Sequence, residues 1–123
     1  MLFPNRHQHY QEFKQLLQQS ETVAKQDNVD RAAILAAFEE VQQFFTGKIM
    51  ESESNGLDPP LSSLEQSYLT EMHKQLRLLA MDIKFWQASR MPATAEARKI
   101  AISDRIHTLI RYCNTLLQKA QNS

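Results

Sequence analysis

Residues 34–49, ILAAFEEVQQFFTGKI, set Ile34, Phe38, Val41, Phe45 and Ile49 at successive steps of four, three, four and four. Steps of that size return to one side of an α-helix, whereas a strand would alternate at every second residue. The segment therefore predicts a helix with one apolar face, and Ala32, Ala33, Ala36 and Ala37 beside it predict close approach of a neighbour. Its pattern fades through Glu51-Ser52-Glu53-Ser54, and Asn55-Gly56 followed by Pro59-Pro60 forbids continuation, giving a helix over about 29–53.

Upstream, Gln26-Asp27-Asn28 interrupts the periodicity, and Asp27, Asn28 or Asp30 can cap the segment just described. Before it, Pro4 can open a helix over about 5–25, with Tyr10, Phe13, Leu17 and Ala24 on its stripe and Leu16 and Val23 alongside. Downstream, Ser62 and Glu65 form a capping box for a helix over about 62–90. Tyr68, Met72, Leu76, Leu79, Ile83 and Trp86 make its apolar face, widened by Leu78 and Phe85. After Met91-Pro92-Ala93, Thr94 can cap a last helix over about 94–120, on which Ile102, Ile106, Leu109, Cys113, Leu116 and Ala120 alternate steps of four and three. Four amphipathic helices with short connections predict an all-α, antiparallel four-helix bundle forming one domain over 1–123. The same steps in the last helix fit an intermolecular seam equally well, so a homodimer stays open.

Composition agrees with helices: 123 residues include only two glycines and four prolines. A lone Cys113 cannot close an internal disulfide, and no signal-peptide pattern follows Met1, so the expected home is the reducing cytoplasm. Asp82 and Lys84 interrupt the apolar run from Leu78 to Trp86, which leaves nothing long enough for membrane insertion. Zero net charge argues against nucleic acid as a partner. The sum conceals a polarity, since 1–61 carries five basic against nine acidic residues and 62–123 carries nine against five. The simplest account is an acidic helical pair lying against a basic one.

Chemistry is hard to place on such a chain. A di-iron bundle needs Glu-x-x-His, but Tyr68, Lys74 and Lys99 stand where Glu65, Glu71 and Glu96 would require histidine. His7 and His9 are two apart and would not share a helix face, while His73 and His107 fall opposite their apolar stripes. No phosphate loop or nucleophile motif occurs, and Cys113 belongs to an apolar seam. No catalytic, metal or cofactor site is predicted, and the chain is expected not to be an enzyme.

The informative polar residues are those inside apolar arcs, because a buried charge without a partner costs several kcal/mol. Asp82 lies between Leu78, Ile83 and Trp86, and Arg98 and Arg105 fall in the arc of the last helix. A hairpin turning at Pro92 brings Asp82 opposite Arg105, predicting an ion pair, and Arg98 beside Trp86, predicting a stacked guanidinium. Both contacts are expected to fix helix register. Function then moves outward, to a basic face of Lys74, Arg77, Lys84 and Arg111 suited to an acidic protein partner.

The second half also carries Lys74-Gln75-Leu76-Arg77-Leu78-Leu79, Met81-Asp82, Gln87-Ala88-Ser89-Arg90, Ser103-Asp104-Arg105 and Arg111-Tyr112-Cys113. Over roughly residues 57 to 117 this resembles the cyanobacterial heterocyst frequency control proteins of the PatD family. The resemblance singles out Arg77, Asp82, Arg90, Asp104, Arg105 and Arg111. It implies a non-enzymatic regulator that binds the division protein FtsZ, alters its filament assembly at the division site, and so tunes how often cells differentiate. Two alternatives remain from the residues themselves: a helical adaptor for another acidic signalling protein, and a bundle carrying a small ligand.

Overall fold

The computed structural model of the chain describes residues 4–26, 30–50 and 62–121, without the side chains of 4, 5, 120 and 121. They form α1 (Pro4–Ala24), α2 (Arg31–Phe44), a π-helical extension of α2 (Phe45–Met50), α3 (Ser63–Ala88) and α4 (Pro92–Gln121). The architecture is the predicted antiparallel four-helix bundle. α1 and α3 both pack chiefly against α4, while α2 leans on α1 and touches α3 over a narrower strip.

Local chemistry explains where the helices begin. Asp30 caps α2, its side chain accepting from the Ala32 amide at 3.0 Å. The other two candidate caps, Asp27 and Asn28, lie outside the described residues, as do the loop signals at Asn55-Gly56 and Pro59-Pro60. At α3 both halves of the Ser62–Glu65 capping box are made. Thr94, by contrast, does not cap α4. That helix already starts at Pro92, whose preset φ and missing N–H suit a first helical position, and Ala95 donates to the Met91 carbonyl at 2.9 Å. For the same reason α3 stops at Ala88, short of the predicted Arg90: Met91 precedes a proline and disfavours helical backbone.

The expected helix over 29–53 also requires correction, since its α-helical part ends at Phe44 and the π-helix carries the chain to Met50. Residues 51–53 lie outside the described set. Phe44 and Phe45 both pack on Phe13, with ring centroids 6.3 and 5.6 Å away. Successive side chains on an α-helix point about 100° apart, and a wider turn lets both adjacent rings reach one neighbour.

One contiguous core runs through the bundle, with Phe13, Leu17, Met72, Ile102, Leu109 and Cys113 fully buried. On α3 the inner seam is Glu65, Leu69, Met72, Leu76, Leu79, Ile83 and Trp86. Leu69 replaces the predicted Tyr68, which is half-buried and meets Tyr112 edge-on at 5.6 Å. Phe85 does not widen the buried stripe, being 49 % exposed. Ala33 and Ala37 are half-buried against neighbours, whereas Ala32 and Ala36 face solvent.

Candidate partner-binding surface

Polar groups inside the bundle decide which charges remain for a partner. Arg105 reaches from α4 to Asp82 on α3, Nε donating to Oδ2 at 2.5 Å, and its Nη1 donates to Gln75 Oε1 at 3.2 Å. The predicted ion pair is therefore present, on a buried Asp82 and a half-buried Arg105.

The second predicted contact is corrected. Arg98 does not stack on Trp86; its guanidinium lies 4.9 Å from the centroid of Phe85. Trp86 is 5 % exposed and its accessible face is taken by another arginine, so Arg98 meets the exposed ring one residue earlier. Trp86 is covered by Arg31, at the start of α2, 5.2 Å from its ring centroid. Arg31 also donates to the carbonyls of Gln87 at 2.5 Å and Ser89 at 3.4 Å, satisfying acceptors left open at the end of α3.

A further buried cluster was not predicted. Glu65, besides its capping role, accepts from the Tyr10 hydroxyl at 3.0 Å and lies 3.5 Å from Arg6 Nη1. Arg6 and Glu65 are both 4 % exposed, so this pair ties the start of α1 to the start of α3 across the bundle. Burial, reinforced by the Glu65 charge, raises the Tyr10 phenol well above its ordinary value. Burial also pushes the Cys113 thiol up to about 12, against a smaller opposing effect of Lys14. The signal in the sequence was Arg6 itself, which continues the stripe of Tyr10, Phe13 and Leu17 by a step of four.

On the outside, Lys74, Arg77, Lys84 and Arg111 are all exposed, but they do not form one face. Asp82, Gln75 and Tyr68 mark the side of α3 turned to α4. His73, 6.3 Å from Phe45, marks the side turned to α2, and Arg77 and Lys84 continue that edge at steps of four and seven. Arg111 stands nine residues from the buried Ile102, half a turn away around α4, and points outward from a different wall. Lys74, Met81 and Phe85, with half-buried Leu78, crown α3 between these edges.

The four carboxylates that make the first half acidic by count, Asp27, Glu51, Glu53 and Asp58, lie outside the described residues, so the expected acidic pair against a basic one bears on charges beyond them. Glu21 of α1 does approach His107 of α4 at 3.5 Å, but the buried Arg6–Glu65 pair crosses the halves with the opposite sign. Glu39 and Glu40 on α2 remain exposed, as do the cations of α3.

Among the described residues no group of three His, Cys, Asp or Glu side chains is placed to hold a metal ion. None of their helices is long and apolar enough to cross a membrane. No family model, curated protein or solved structure matches the chain.

Proposed function

We propose that this protein is a non-enzymatic regulator that works by contact, binding FtsZ and modulating its filament assembly, and thereby the frequency of heterocyst differentiation. The observation that carries the contact reading is the exposed basic edge of α3, where Arg77 and Lys84 lie beside Lys74 with Asp82 withdrawn into the bundle. Between Met72 and Ala95 that aspartate is the sole acidic residue, so beyond the exposed Glu71, one turn before Lys74, the edge offers positive charge to an acidic partner. FtsZ as the partner rests on the resemblance of the second half of the chain to the heterocyst frequency control proteins.

Cosedimentation with FtsZ polymerised by GTP tests the proposal. Wild type is expected in the pellet, Arg77→Glu with Lys84→Glu in the supernatant, and Arg111→Glu alone close to wild type, because it lies on another wall. Binding should fall as salt rises past about 0.1 M, where exposed charges are screened within about 10 Å. Equal pelleting of wild type and the double variant, or no pelleting of wild type, overturns it.

A further inference from the structure

The crown of α3 combines two features that are usually kept apart on a monomer's surface. Met81 is 51 % exposed and Phe85 49 % exposed, one helical turn from each other, and half-buried Leu78 lies one turn before Met81's neighbour Asp82. Cations bracket this short apolar line: Arg77 and Lys84 along the α2 side, Lys74 at its start, and on the α4 side Arg98, whose guanidinium lies over the Phe85 ring. No exposed carboxylate is contributed by α3 between Met72 and Ala88, since Asp82 is buried and paired with Arg105.

We infer that this crown docks a single acidic amphipathic helix of the partner, with apolar side chains seated on Met81 and Phe85 and carboxylates meeting Lys74, Arg77, Lys84 and Arg98. The inference rests on the protein-binding reading above and specifies its chemistry. Charge complementarity selects the sign of the occupant, and apolar contacts at i and i+4 select a helix over an extended strand. From Lys74 to Phe85 the line spans about 17 Å at 1.5 Å per residue, the length of three turns. A flat anionic membrane is a poorer match, because on the crown itself only Met81 and Phe85 stand proud, and the far wall carries exposed Glu39 and Glu40. The other exposed large apolar side chains of the described residues are scattered over α2, the start of α3, the turn before α4 and α4 itself. A second copy docked through the same face would set cations against cations.

The division of labour is testable. Cations give the contact its salt dependence, whereas the apolar pair gives affinity that salt does not remove. The probe is a synthetic helical peptide with two leucines one turn apart between glutamates, and its control carries lysines for glutamates. By fluorescence anisotropy the full chain should bind the acidic peptide and not the control. Met81→Ala with Phe85→Ala should weaken binding about tenfold at every salt concentration, and Arg77→Glu with Lys84→Glu should flatten the salt dependence. Both apolar positions are exposed, and an unchanged thermal transition of each variant shows that the fold is kept.

No binding of the acidic peptide, or equal binding by the alanine variant, overturns the inference. So does wild-type binding to phosphatidylglycerol vesicles that the alanine variant loses, which makes the crown a lipid site. Self-association lost in the same variant overturns it in favour of a second copy. Peptide binding without FtsZ cosedimentation supports the crown and removes FtsZ as its partner. With FtsZ bound, a benzophenone on Met81→Cys should cross-link to an acidic helical segment. Cross-linking to any other kind of surface sinks the inference while leaving FtsZ binding intact.

Discussion

Arg105 holds Asp82 across the α3–α4 interface at 2.5 Å and is itself steadied by Gln75 at 3.2 Å. The two ends of the pair are unequally wet, with side-chain exposure of 10 % for Asp82 and 31 % for Arg105. Removing the cation strands a buried carboxylate, whereas removing the carboxylate leaves a guanidinium that can turn to water. Arg105→Leu should therefore destabilise by about 2–3 kcal/mol and Asp82→Asn by only about 1 kcal/mol. Urea unfolding of both single variants and the double variant checks the order and the coupling.

At the opposite end of α3, Glu65 collects bonds from Tyr10, Ser62 and Arg6. Glu65→Ala should cost about 3 kcal/mol, because it removes a buried carboxylate shared by Arg6 and Tyr10 and breaks the capping box. Tyr10→Phe removes one hydrogen bond and should cost about 1 kcal/mol, as should Ser62→Ala through the lost cap. Chemical denaturation resolves these differences, and an equal loss for Glu65→Ala and Tyr10→Phe would contradict the central place given to the carboxylate.

Alkaline pH should weaken the fold through two buried groups. Cys113 ordinarily ionises near 9.0 and is pushed up to about 12, and Tyr10 is raised above its usual 10.0. Above pH 9 the unfolded chain sheds protons that the folded chain retains, so stability falls with rising pH. The slope is at most about 1.4 kcal/mol per pH unit for each group, and it fades to almost nothing below about pH 8. Urea unfolding at a series of pH values should show the decline starting with the thiol and steepening above pH 10. Cys113→Ala should remove the first part and Tyr10→Phe the second.

Gly47 sits exposed in the π-helical extension, and a Cβ built there meets nothing within 4 Å. Glycine in a helix leaves the unfolded chain more freedom to lose than alanine does. Gly47→Ala should stabilise by about 0.5–1 kcal/mol, read as a rise in the thermal midpoint.

Much of this bundle is legible because helical periodicity reports burial directly: Ile34, Phe38, Val41, Phe45 and Ile49 are all buried. The Asp82–Arg105 pair could be read because a tight turn at Pro92 sets one register for two long helices. Contacts that depend on a third helix were not legible. Arg31 over Trp86 and Arg6 against Glu65 join residues whose proximity follows from how α1 and α2 sit around α3, which no spacing within one segment encodes. The π-helix escaped notice because steps of four suit both helix types for a turn or two. On the surface, helical angles placed Arg77 and Lys84 outward, but the separate wall of Arg111 emerged only from the contacts that orient α3 and α4.

α4 is the shared wall against which both α1 and α3 lay most of their apolar surface. A nascent chain must present those surfaces before Ile102, Ile106, Leu109, Cys113 and Leu116 have been made to cover them. Completion of the fold thus waits on synthesis of α4, and a nascent chain stalled before that helix is the form most exposed to aggregation and to chaperones.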